Sequence, residues 1–504
     1  MLASTDFIPA TPISRRRRLA DAQALSSRKP QLPATGFAIA AAMLLAGCAS
    51  TQSALIPGGA AAPVAAQWHA PLPHGGQLAD MSQWWAQFDD PLMLRLIEAG
   101  QQVSPTLAQA SARIADARAA SVTQSAALMP SLDAGISSSR GRSELGTPIG
   151  TSYSADLQVG WELDVFGAGR AAANAAQARL ESSRAGWHDA RVSVAAEVAT
   201  TYVELRACEA QIQLAETDAQ SRARTSRVTS LAVNAGFQPP ASADLASASA
   251  AQGKVALIQR RTQCDLLIRA LNALTAQDEA ALRRDLGTGT GLLPRPAELG
   301  VAAMPAQVLA QRPDIYAAAR DVMAASAESD QARAQRWPRI ALAGNIGTTR
   351  IDSGGVSAGG TVWSIGPVTV TLPLFDGGTR LANAQAARAR YEAATIVYSA
   401  RLREAIRDVQ IALVTLDSAA MRGKDVLIAA NGFERSFAAA EASYQAGTAS
   451  LFELEDARRS MVAGQSAVIE LHRERVSAWI ALYRALGGGW SPAGVHAVRN
   501  EAAG

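Results

Sequence analysis

From Tyr153 to Val165 apolar and polar positions alternate one by one. Tyr153, Ala155, Leu157, Val159, Trp161, Leu163 and Val165 fall on one side; Ser154, Asp156, Gln158, Gly160, Glu162 and Asp164 fall on the other. A period of two sustained this long predicts a strand with one apolar and one polar face. Leu132 to Arg140 is its weaker partner across a polar loop, Gly141 to Ser152, which gives a hairpin over 131–166. A second hairpin is expected over 339–374, built from Ile340 to Arg350, a glycine-rich loop Ile351 to Gly360, and Thr361 to Leu374. The apolar phase of its last strand switches around Gly366-Pro367, which predicts a bulge. Strands of about 9 to 11 residues, tilted, cross a bilayer, and this alternation is what a membrane barrel needs. Four strands cannot close such a barrel, and an open edge in hydrocarbon leaves backbone groups unpaired, so closure has to come from other copies of the chain. Two copies supply eight strands, about filled by their own side chains; three supply twelve and leave a lumen.

Elsewhere the period lengthens. Val194, Val198, Thr201, Leu205, Cys208, Ile212 and Ala215 recur at steps of four and three, as do Leu402, Ile406, Val409, Leu413, Leu416 and Ala420. That is a coiled-coil seam. Arg170 to Ala235 and Arg380 to Ala446 contain no proline, so each predicts a single helix of about 100 Å at 1.5 Å per residue. Returning helices are expected from Ala241 to about Arg284 and from Ser450 to about Leu486, making helix pairs over 170–285 and 380–486. The abundance of alanine lets helices approach on more than one face, which suits a packed sheet of helices better than an isolated coiled coil.

The chain states this plan twice, at a spacing of 208 to 211 residues. Pro105 precedes Pro130, and Pro313 precedes Pro338, by the same interval of helical sequence. Phe166-Gly-Ala-Gly-Arg170 and Phe375-Asp-Gly-Gly-Thr-Arg380 each open a long helix. The fold expected is mainly α with a small β part, duplicated over 74–300 and 301–490.

Composition narrows the reading. Of 504 residues, 48% are hydrophobic and 18% charged, which excludes disorder for most of the chain. The first 47 residues hold Arg15 to Arg18, Arg28 and Lys29 against Asp6 and Asp21, so the remainder is close to neutral and has no basic stripe for nucleic acid. The five histidines show no ligand spacing, and no nucleophile elbow or phosphate loop occurs, so neither an enzyme nor a cofactor is expected. The basic start, the apolar run Phe37 to Ala46 and the small residues after it form a secretory signal over 1–47. Leu45-Ala46-Gly47-Cys48 resembles the bacterial lipobox, which implies cleavage before Cys48, acylation of its thiol and passage to the outer membrane. Residues 48–73, rich in Ala, Pro and Gly, are expected to be a tether, and 491–504 a tail.

Taken in order, Trp84-Trp85-Ala-Gln-Phe88, Pro130-Ser-Leu132, Trp161-Glu-Leu-Asp164-Val-Phe166-Gly-Ala-Gly169-Arg170, Arg312-Pro313-Asp314-Ile315 and Tyr444-Gln-Ala-Gly447-Thr-Ala-Ser-Leu451 with Asp456-Ala457-Arg458 resemble the TolC-like outer-membrane efflux lipoproteins, the NodT or outer-membrane factor family. The resemblance covers nearly all of the mature chain. It implies a homotrimer with one twelve-stranded barrel in the outer membrane and twelve long helices forming a periplasmic α-barrel. It further implies a passive exit duct for small toxic compounds, driven by an inner-membrane efflux pump of the RND type through a periplasmic adaptor, the membrane fusion protein. An outer-membrane duct for type I protein secretion is the alternative within the fold; a lipid-anchored periplasmic coiled-coil scaffold without a pore is the alternative outside it.

By the same resemblance the adaptor-facing tip lies at the helix turns near Gly236 and Gly447. Related channels carry an acidic residue just after the second turn, where this chain has Thr448 and Ala449. Glu453, Glu455 and Asp456 are the nearest acids, with Asp244 similarly placed in the first copy, and Arg458 is the expected ion-pair partner of Asp456. Cys208 and Cys264 stand 28 residues before and after Gly236, which leaves a disulfide and two buried thiols both open.

Overall fold

The computed structural model describes residues 81–142, 148–295 and 312–490. The signal, its residues Leu45, Ala46 and Gly47, the acylation site Cys48, the tether and the tail lie outside the described residues. A short turn of 3-10 helix, Met81–Phe88, leads into α1 (Pro91–Val103) and α2 (Pro105–Ala126); then come β1 (Ser131–Gly141), β2 (Gly150–Leu163), α3 (Ala168–Asn234), α4 (Pro240–Thr275) and α5 (Glu279–Leu286). The second half runs α6 (Pro313–Ala334), β3 (Arg339–Ser353), β4 (Val356–Thr371), α7 (Thr379–Gln445) and α8 (Leu451–Ala485). The duplication is metrical: α2 and α6 have 22 residues each, and α3 and α7 have 67 each.

Each long helix starts where an aspartate collects its free amides. Asp164 accepts from the amides of Gly169 and Arg170 at 2.9 Å, and Asp376 accepts from those of Gly378 at 3.0 Å and Arg380 at 3.2 Å. The two caps stand at different places in their motifs, one before Phe166 and one after Phe375, yet both satisfy the orphan donors of a helix start. Burial alone would raise the Asp164 carboxyl, but those amides and the Arg170 guanidinium outweigh it and hold the group below the usual range.

One core organises the middle of the chain. Trp84, Phe88, Met93 and Leu96 pack on the α3 stretch from Val192 to Leu205, together with Leu271 of α4, Leu282 and Leu286 of α5, and Trp479, Leu482 and Tyr483 of α8. Asp90 caps α1 through the amides of Leu92 and Met93, at 3.1 and 3.0 Å, and its other oxygen accepts from the Tyr202 hydroxyl at 2.7 Å. Of the predicted seam on α3, Val194, Val198, Leu205 and Cys208 are buried; on α7, Leu402, Val409, Leu413 and Leu416 are, while Ala420 is exposed.

Three expectations need correction. The first returning helix is not continuous: at Ala276 the backbone turns left-handed (φ 47°), its amide closes α4 on the Asn272 carbonyl at 2.8 Å, and Asp278 caps α5. The stretch Ile351 to Gly360 is not a loop, because β3 and β4 run through it to the two-residue turn Gly354-Gly355, whose φ of 59° and 83° suit glycine. Likewise β2 starts at Gly150, inside the expected polar loop.

Candidate functional site

The four strands form one antiparallel sheet in the order β1-β2-β3-β4. Its register carries each side chain's face across all four strands. Leu132, Val159, Gly344 and Ile365 stand in one row and Ala134, Leu157, Ile346 and Trp363 in another; on the opposite face Asp133, Gln158, Asn345 and Ser364 line up, as do Gly135, Asp156, Gly347 and Val362. Among the described residues little covers the apolar face: Ile136 is 90% exposed, Ile365 86% and Trp363 68%. The polar face is lined mainly by short side chains, with Ser137 and Ser154 bonded through their hydroxyls at 2.8 Å and the Ser364 hydroxyl donating to Asn345. The expected bulge is present, since Gly366 and Pro367 on β4 both face the single Ala343 of β3. The sheet is fixed to the helices below by the Trp161 indole, which donates to the Leu128 carbonyl at 3.0 Å, and by Phe166 stacked on Trp337 with centroids 5.8 Å apart. Strands β1 and β4 are its two edges.

At the other end of the helices are two turns of one design. Gly236 (φ 79°) and Gly447 (φ 76°) occupy the left-handed position that closes a helix, with the Phe237 amide bonded to the Ala232 carbonyl at 2.8 Å and the Thr448 amide to Ser443 at 2.9 Å. Helix α8 restarts on a capping box: the Glu453 amide donates to the Ser450 hydroxyl at 3.2 Å, and the Ser450 amide donates to the Glu453 carboxylate at 2.7 Å. Those contacts from the Ser450 backbone and hydroxyl hold the Glu453 carboxyl below the usual range. Asp244, on the first turns of α4, is exposed.

Between the two turns the hairpins are tied by buried polar groups. The hydroxyls of Thr229 (α3) and Tyr444 (α7) are 2.7 Å apart. Further up, Arg458 of α8, wholly buried, pairs with Glu455 and donates to Thr225 of α3 at 2.8 Å, with Phe437 of α7 under its guanidinium at 5.4 Å. Glu455 also receives Arg222 of α3 at 2.9 Å and Ser249 of α4 at 2.7 Å, and Arg222 reaches back to Asp218 at 2.8 Å. Two cations and two carboxylates, carried by α3 and α8, are thus joined, with the Ser249 hydroxyl of α4 bonded to Glu455. The expected pairing of Asp456 with Arg458 is corrected by this geometry: Asp456 is exposed and pairs with Arg459 at 3.5 Å. Cys208 and Cys264 are joined in a disulfide between α3 and α4, their Cα atoms 5.7 Å apart.

A sheet with a bare apolar face and two open edges, mounted on helices that end in a polar-tied double turn, is the layout of a membrane conduit subunit. Residues 96–277 and 304–488 match the family model described as outer membrane efflux protein. The chain belongs to that family. The outer membrane protein OprJ of Pseudomonas aeruginosa is 29% identical over 472 residues, spanning 92% of this chain and 97% of its own. The toluene efflux pump outer membrane protein TtgC of Pseudomonas putida is 30% identical over 474 residues, spanning 89% and 94%. The Campylobacter jejuni CmeC outer membrane channel shares the fold, with a TM-score of 0.76 over 85% of this chain and 92% of its own at 19% identity. The protein is an efflux channel of the outer membrane, mainly helical with a small β part.

The Glu455–Arg222–Asp218 links and the Thr229–Tyr444 bond escaped the sequence reading. One signal was present: Glu455 stands three residues before Arg458, on the same face of its helix, whereas Asp456 stands two before it and faces elsewhere.

Proposed function

We propose that this efflux protein works as a homotrimer whose three sheets close a twelve-stranded barrel in the outer membrane, continued below by twelve helices as one passive duct. One observation carries this: the sheet exposes both edges and most of one apolar face, which hydrocarbon tolerates only in a closed cylinder. The signal (1–47), the Cys48-acylated tether (48–73) and two repeats (74–300 and 301–490) divide the chain. Lipid on Cys48 tethers it to the outer membrane. A periplasmic adaptor docks at the turns around Gly236 and Gly447, with Asp244, Glu453, Asp456 and Arg458 in its neighbourhood, and an inner-membrane pump supplies the energy. Opening separates the α7–α8 hairpin from α3, which requires the Thr229–Tyr444 bond and the Arg458 cluster to part.

The relative named for efflux of toluene supports small apolar or amphipathic compounds as cargo. The test is purification in mild detergent followed by reconstitution in planar bilayers. The expected result is a heat-sensitive species of three chains that conducts. A folded monomer without current overturns the proposal.

A further inference from the structure

The two hairpins of the tip are held in register by different means. Ala419 and Arg475 stand as far from Gly447 as Cys208 and Cys264 stand from Gly236. Between those positions the α7–α8 hairpin buries Phe437, Tyr444, Leu451, Leu454, Met461 and Leu471. Large, differently shaped side chains admit only one alignment of two helices. The α3–α4 hairpin buries only Asp218, Thr225, Thr229, Ala246, Ser249 and Gly253 over the same span, and none of these is a large apolar side chain. Across their seam α3 and α4 also share an exposed ion pair, Glu216 with Arg261 at 2.6 Å, and the Arg222–Ser249 bond at 2.7 Å, but polar contacts of this kind on long, flexible side chains resist a one-turn slip far less than interlocked apolar groups do. The disulfide sits where this stretch begins, with the cysteines 7% and 4% exposed inside the central core.

We propose that the Cys208–Cys264 bond is the register pin of the α3–α4 hairpin, substituting for the large apolar side chains that this hairpin does not bury, and that a periplasmic oxidant carrying a disulfide makes it before the trimer closes. The timing follows from burial. Sulfurs enclosed between packed helices are out of reach of an oxidant of protein size, so the bond has to form while the hairpin is still open. In that step the two thiols lose two protons and two electrons as the S–S bond forms, and the oxidant's own disulfide accepts them and becomes two thiols. The inference holds whatever the duct carries.

The test uses the full-length trimer in detergent and compares C208A/C264A, and C208V/C264A as a variant that refills the space without the bond, with the unmodified protein under limited trypsin digestion. Both variants are expected to be cut at Arg224, Arg227 or Lys254 about tenfold faster or more, with cleavage in α7–α8 unchanged. Unchanged cleavage, or equal acceleration in both hairpins, overturns the proposal. Pulse-chase of the unmodified protein, with thiol alkylation before electrophoresis, gives an answer even where the variants fail to assemble. The disulfide is expected to appear ahead of the heat-sensitive trimer; a trimer that forms with both thiols still free overturns the proposal, as does a bond that appears only afterwards.

Discussion

Arg458 is wholly buried in a stretch of helix that otherwise packs small and apolar groups, so its charge is tolerable only while Glu455 stays beside it. Removing one partner strands the other. Arg458→Ala is expected to destabilise the tip by about 3–5 kcal/mol, while the paired change Glu455→Leu with Arg458→Met costs far less, because it removes both charges and leaves Arg222 with Asp218. Hydrogen exchange of the α3 amides around Thr225 measures both; equal exchange in the two variants would count against a charge-pair role. Tyr444→Phe deletes a single hydroxyl bond to Thr229, worth about 1 kcal/mol. It should raise the open probability of single channels without reducing the yield of trimer. This scale is the least legible in sequence. Hydrogen-bond partners on different helices are set by how the hairpins are rotated against each other, which no periodicity states. The nearest acid in the chain, Asp456, is a poor guide because a helix turns about 200° in two residues, and the break at Ala276 carries neither glycine nor proline to announce it.

At the scale of elements the apolar alternation was a sound guide, since a period of two says which face a side chain takes and antiparallel pairing carries that face from strand to strand. What it missed was length. Glycines between Ile351 and Gly360 resemble loop, yet only Gly354 and Gly355 are needed for the turn, and the others continue the ladder. The faces give a paired prediction. Trp363 stands near the middle of β4 in the apolar row, and Ser364 beside it in the polar row. Trp363→Arg places a charge in hydrocarbon at about 2–4 kcal/mol per copy and should abolish the heat-sensitive trimer. Ser364→Arg should leave the trimer intact and change only its conductance and ion selectivity. If both substitutions behave alike in gel and bilayer, the sheet does not separate lipid from lumen.

The whole molecule raises the question of what holds it in the outer membrane, since the chain offers two means. One is the acylation proposed for Cys48; the other is the proposed barrel, to which each subunit would contribute its four strands. Acyl chains contribute about 0.8 kcal/mol per buried CH₂, so that one anchors marginally and two or more anchor stably, yet a closed barrel holds more firmly still, because it can leave the bilayer only by exposing its entire apolar band and breaking its ladders. On the proposed assembly the strands are expected to dominate retention and the lipid to serve delivery before the trimer exists, when a lone sheet with two bare edges is at its most vulnerable to aggregation. A chain whose signal is replaced by an ordinary cleavable one, so that the mature protein starts at Ala49, is expected to reach the membrane in lower amount. The molecules that do arrive should resist extraction by high salt or alkali as the lipidated protein does, and should show the same single-channel current. Fractionation followed by carbonate extraction measures both quantities separately. If the unlipidated protein assembles in full amount but washes off, the acyl chains rather than the strands carry retention, and the sheet is not embedded as a barrel.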